Sequence, residues 1–90
     1  ERTLAPQIYQ TLQTLKADIE GGEQDYRALE QRYRDSLNQA GFQVDYLTVA
    51  NARSLAPASA GDTDLVVAVA AKLGNTRLID NVSLAVVRDR

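Results

Sequence analysis

The run Val66-Val-Ala-Val-Ala-Ala-Lys-Leu-Gly74-Asn-Thr-Arg-Leu-Ile-Asp-Asn-Val82 decides how this chain folds. Its apolar first half meets Gly74-Asn75 and reverses into Thr76-Arg-Leu-Ile-Asp-Asn81, where an acid and an amide interrupt what should be a buried strand. A two-residue turn that opens with glycine supplies the positive φ of a type II′ hairpin. The apolar flanks bury that hairpin, so Arg77, Asp80 and Asn81 need partners or a role. The second strand is expected over about 64–73, with the near-continuous apolar content of a central strand, and the third over about 76–87.

Working back from the hairpin, Gln43-Val-Asp-Tyr-Leu-Thr-Val-Ala50 is rich in β-formers and carries apolar residues on both faces, which predicts the first strand. Between it and the second strand, Asn51 to Thr63 holds Asn, Ser, Pro57, Gly61 and Asp62 and reads as a long exposed loop. Before Phe42 the period changes. Leu4, Ile8, Leu12, Leu15 and Ile19 form one helical stripe that starts near Pro6 and ends at Gly21-Gly22. Tyr26, Leu29, Tyr33, Leu37 and Ala40 form a second stripe, opened by Asp25 as N-cap and closed by Gly41. Two amphipathic helices joined by a short glycine turn predict an antiparallel helical hairpin whose charged outer face is solvated. The expected architecture is therefore α+β, ααβββ: a two-helix hairpin packed on one face of a three-stranded antiparallel sheet.

The ninety residues are expected to make one domain, 1–90, and the 44% hydrophobic content is ordinary for a small core. Ten basic and twelve acidic side chains leave a net charge of −2. Arg27, Arg32 and Arg34 are diluted by Glu23, Asp25, Glu30 and Asp35, so no basic stripe exists for nucleic acid. The longest apolar stretch, Val66 to Leu73, is interrupted by Lys72 and is too short for a membrane span. Cysteine is absent, which removes disulfides and thiol chemistry and is compatible with a reducing cytoplasm. No targeting segment shows in Glu1-Arg-Thr-Leu-Ala-Pro6, and methionine is absent throughout; both fit a piece of a longer protein.

Chemistry is scarce. Without His or Cys there is no usual serine or cysteine triad and the commonest metal ligands are missing. Gly21-Gly22 lacks the strand before it and the Lys-Ser/Thr after it that a phosphate loop needs. A carboxylate pair of Asp45 with Asp80 across the sheet would need a cleft that this architecture hardly offers. Asp80 falls in phase with Thr76, Leu78, Val82, Leu84 and Val86, which places it on the apolar face. A structural carboxylate bonded to Arg77, or to backbone amides at a bulge with Asn81, is favoured there over an acid with a raised pKa. Lys72 and Arg77 face each other across the turn, where they are solvated or at most grip an anion weakly. No catalytic, cofactor-binding or metal residue is assigned.

Four pieces of the chain together resemble the C-terminal domain of the pantothenate synthetase (pantoate–β-alanine ligase) family. They are Leu4-Ala-Pro6, Gly41-Phe-Gln-Val-Asp-Tyr46, Leu55-Ala-Pro57 and Ala70-Ala-Lys-Leu-Gly-Asn-Thr-Arg-Leu-Ile-Asp-Asn81. The Leu-Gly-x-x-Arg-Leu-Ile-Asp-Asn run is the specific part, and the resemblance covers the chain in order. It implies a cytoplasmic, homodimeric parent enzyme that uses ATP and Mg2+ to convert pantoate to a bound pantoyl-adenylate, which the amine of β-alanine then attacks. In such an enzyme a histidine-bearing N-terminal nucleotide-binding domain and a Ser-Ser-Arg segment hold the nucleotide, and the smaller C-terminal domain closes as a lid. Neither motif occurs here, so the resemblance carries over the fold and the lid role and no site residue. A stand-alone interaction or small-ligand-binding α+β module is the alternative; a nucleotide-binding domain encoded directly upstream would decide against it.

Overall fold

The computed structural model describes residues 5–86. In chain order it has α1 (Ala5–Glu20), α2 (Tyr26–Gln39), β1 (Gln43–Asn51), β2 (Asp64–Leu73) and β3 (Thr76–Ala85). The strands form one antiparallel sheet in the order β1-β2-β3, so the α+β architecture expected from the change of period is present. Leu4 and Val87, which the sequence placed in the first helix and last strand, lie outside the described residues.

Each helix follows from its apolar spacing and its punctuation. Ile8, Leu12, Leu15 and Ile19 of α1 are all buried, and Pro6 stands in the first turn, where its missing N–H costs nothing. At the other end Glu23 N–H donates to Asp18 O at 3.1 Å and Gly22 N–H to Ile19 O at 3.0 Å, with Gly22 at φ 114. That is a Schellman stop. In α2 the Asp25 carboxylate accepts Ala28 N–H at 3.2 Å. A second Schellman stop follows, with Phe42 N–H on Leu37 O and Gly41 at φ 105. Ala40, read as the last position of the apolar stripe, is instead an exposed C-cap, and Phe42 takes the buried place beyond it.

The helices splay over the sheet, α1 mainly above β3 and α2 mainly above β1. Leu47, Val49, Leu65, Val67, Val69, Ala71 and Leu84 meet them from one sheet face. Burying each large apolar side chain there contributes about 1.5–3 kcal/mol. The opposite face carries three cross-strand rows: Tyr46–Ala70–Ile79, Thr48–Ala68–Asn81 and Ala50–Val66–Ser83. Among the described residues no helix covers it, and Ile79 is 64% exposed.

The hairpin is as read: Leu73 pairs with Thr76, leaving Gly74-Asn75 as the loop, and Gly74 alone takes a positive φ in it. β1 runs one residue further than expected, to Asn51, and carries a bulge that inserts Asp45 between Val44 and Tyr46. The segment expected as a plain exposed loop is more ordered than that. Asn51 accepts the N–H groups of Arg53 and Ser54, and Pro57 bridges back to Ala50. Asparagine and aspartate side chains supply such local turns themselves, which is why the segment needs no core of its own.

Gly41→Ala should cost about 1–2 kcal/mol, because an L side chain is strained at this φ while the nearest atom, Leu73 Cδ1 at 3.6 Å, is only in ordinary contact. Gly61→Ala, with no neighbour within 4 Å and no positive φ, is the control, expected within about 0.5 kcal/mol of the original in urea unfolding.

Candidate functional site

At the hairpin end, Lys72 and Arg77 pair across the turn as the sequence suggested. Arg77 is not free to hold a ligand: it reaches over the central strand to Asp45, with Nη2 to Oδ2 at 3.4 Å. The bulge is what turns Asp45 toward it. Lys72 has no ion-pair partner among the described residues. Asp80 lies opposite Val69 on the helix-covered face, half-buried as its register implied. Of the two partners expected for it, the backbone amide is the one present, without Arg77 and without a bulge. The carboxylate accepts the N–H of Asn81 at 2.8 Å, and the β2–β3 register runs unbroken past it. Residues 77 and 80 are an odd number apart in one strand, so they point to opposite faces. The same geometry separates Asp45 from Asp80 and removes the carboxylate pair.

A second polar cluster lies where the sequence suggested only solvated charge. Glu30 accepts Val49 N–H at 2.8 Å and the Thr48 hydroxyl at 3.3 Å, and pairs with Arg27 at 2.9 Å. Arg27 in turn donates to Val49 O at 3.0 Å, an oxygen that also accepts Ala58 N–H. β1 is an edge strand, and its unpaired donor and acceptor at Val49 are thereby closed by a helix. The signal in the sequence was the flanking of Tyr26 and Leu29 by Arg27 and Glu30, three apart on a helix face.

Between the helices, the Tyr33 hydroxyl donates to the Asp18 carboxylate, and Arg32 stands 3.7 Å from the same carboxylate. Burial pushes the Tyr33 phenol above its ordinary 10.0, and the bond to Asp18 pushes the same way. Beside them opens a cleft of about 490 Å³ lined by Pro6, Gln7, Gln10, Thr11, Thr14, Tyr33 and Ser36. That lining offers no cation to a phosphate. A smaller pocket of about 290 Å³ lies against Asn51, Arg53, Gly61, Asp62, Thr63 and Asp64, where Arg53 already pairs with Asp64 at 3.4 Å. Among the described residues no group of three or more His, Cys, Asp or Glu is placed to hold a metal ion. None of their helices is long and apolar enough to cross a membrane.

The fold thus defines a two-layer α+β unit with one sheet face covered and the other open. The pantoate-beta-alanine ligase family matches residues 1–83. A pantothenate synthetase of Alcanivorax borkumensis is 71% identical over 90 residues, the whole of this chain and 32% of that protein. One from Azotobacter vinelandii is 50% identical over 84 residues, 93% of this chain and 30% of its own length. The crystal structure of the Thermus thermophilus pantothenate synthetase superposes with a TM-score of 0.74 at 29% identity, over 90% of this chain and 29% of that one. The chain belongs to the pantoate–β-alanine ligase family, and it spans about a third of the length of these relatives.

Glu30→Ala should lower stability by about 1–3 kcal/mol in denaturant unfolding, since it strips the acceptor from a buried N–H. Arg27→Ala should cost less, because Val49 O keeps its bond from Ala58. Tyr33 predicts a pH effect. The unfolded chain loses that proton near 10.0 while the folded chain still holds it. Stability is therefore full below about pH 10 and falls as pH rises toward the folded value. Unfolding free energies of Tyr33→Phe, measured across about pH 9 to 11, should fall less steeply than those of the original chain.

Proposed function

We propose that this chain is the C-terminal lid domain of an ATP-dependent ligase that joins pantoate to β-alanine. The observation that carries the reading is the match, over the full chain, to about a third of pantothenate synthetases. The matched third is the C-terminal one. In the parent, the pantoate carboxylate attacks the α-phosphorus of ATP and displaces pyrophosphate; the β-alanine amine then attacks the acyl carbon and AMP leaves.

The described residues do not fit the nucleotide or its Mg2+. Arg77 is held by Asp45, the helical cleft is lined by uncharged side chains, and no acidic cluster is placed for a metal. On this reading nucleotide and metal are held by the histidine-bearing N-terminal domain of the parent, a homodimeric cytoplasmic enzyme, and no catalytic residue is assigned to this chain. Its contribution is the exclusion of water. An acyl-adenylate hydrolyses when water reaches it, and a compact domain on a hinge can close over it until the amine attacks.

Removal of this domain from the parent should leave ATP cleavage partly intact while the products shift from pantothenate to pantoate plus AMP, read by chromatography of the reaction mixture. Calorimetric titration of the 90-residue chain with Mg-ATP should show no micromolar binding, consistent with the 4 kcal/mol or so that a weak, about millimolar anion site supplies. Micromolar ATP binding by the chain alone, or undiminished pantothenate formation by the truncated parent, would refute the lid reading.

A further inference from the structure

The open face of the sheet is unlike the rest of the surface. Its central strand carries Val66, Ala68 and Ala70 there, although a strand facing water on one side normally alternates apolar with polar. Ala70 is 0% exposed, shielded between Tyr46 and Ile79 of the two outer strands. Those two are themselves large exposed apolar side chains, at 40% and 64%. No charged residue stands in the three rows from Tyr46–Ala70–Ile79 to Ala50–Val66–Ser83, whereas the exposed side of α2 carries Arg27, Arg32 and Asp35. Charge on this face stands at its two ends: Arg77 with Asp45 beside the hairpin, and Asp64 with Arg53 at the other end.

We propose that this face is the docking surface of the domain, and that its occupant is the remainder of the same ligase polypeptide. The proposal rests on the lid reading above. Relatives carry about two thirds of their length outside the matched segment, which takes up 32% of the protein. A β-strand apolar on both sides requires a layer on both sides, and α1 and α2 supply only one. The alanines at the centre leave a shallow floor on which a partner element can approach the backbone closely. Tyr46 and Ile79 form its two walls and would lose most of their exposure on closure.

The absence of cysteine from this chain makes the face directly readable. Asn81→Cys and Ser83→Cys place thiols on the open face, and Ala28→Cys places one on the exposed side of α2. In the full-length enzyme saturated with ATP and pantoate, maleimide labelling is followed by mass spectrometry of the peptides concerned. Both open-face thiols should react at least about tenfold more slowly than Cys at position 28, at every protein concentration. Equal rates at all three positions overturn the proposal. So does protection that disappears on dilution, which would make a second copy the occupant. The truncated parent, assayed in parallel for pantothenate against pantoate plus AMP, tests the lid reading separately. Unprotected thiols beside a truncated parent whose products shift to pantoate plus AMP retain that reading and reject this face, and protected thiols beside undiminished pantothenate formation by the truncated parent do the reverse.

Discussion

Burial of one side of β2 is the interaction on which the remaining structure depends. Leu65, Val67, Val69 and Ala71 are each 0% exposed, in one core cluster with residues of both helices. The helices are held by different strands, α1 by β3 and β2 and α2 by β1, more than by each other. Hence the helices diverge, a polar cleft opens between them, and Asp18, Arg32 and Tyr33 hold the junction by hydrogen bond and charge. The central position of β2 also makes β1 and β3 edges, each with backbone groups to satisfy. β1 is closed by Glu30, Arg27 and Ala58, and on β3 the Asp80 carboxylate takes the N–H of Asn81.

The elements were legible because their signals are local. A stripe with helical spacing, a glycine with left-handed φ after each helix and a Gly-Asn turn between apolar runs depend on neighbours in the chain, and among the described residues they are where the sequence placed them, apart from Ala40, which caps α2. Side-chain partnerships were less legible, since they depend on which strands and helices end up adjacent. Arg77 was one of two partners expected for Asp80, backbone amides near Asn81 being the other; the amide takes that place, and Arg77 bonds Asp45, brought near by a bulge in β1 that no residue pattern announces. The strand period of two did contain the contrary sign, because Arg77 and Asp80 must face opposite ways. Glu30 was taken as one more solvated charge because its acceptor role requires knowing that β1 is an edge and that α2 lies over it.

The candidate site shows the same division. The missing histidine and cysteine are plain from composition. The uncharged character of the open sheet face was not plain. It appears only when three strands are put in register, since its residues are scattered over positions 46–50, 66–70 and 79–83 and each short set looks ordinary by itself. The apolar residues on both sides of β2 were the one visible hint, and the sequence alone could not say whether a second layer lay within the chain or beyond it.

The packing of α1 against β3 joins the first of the five elements to the last. Contacts between segments so far apart along a chain form only after the loop between them has closed, at an entropic cost that local helices do not incur. A ribosome making this chain would therefore release two helices and two strands before the final strand could complete the sheet and give α1 its seat. Until then the apolar stripe of Ile8, Leu12, Leu15 and Ile19 has only β2 beneath it, so α1 gains most of its packing late.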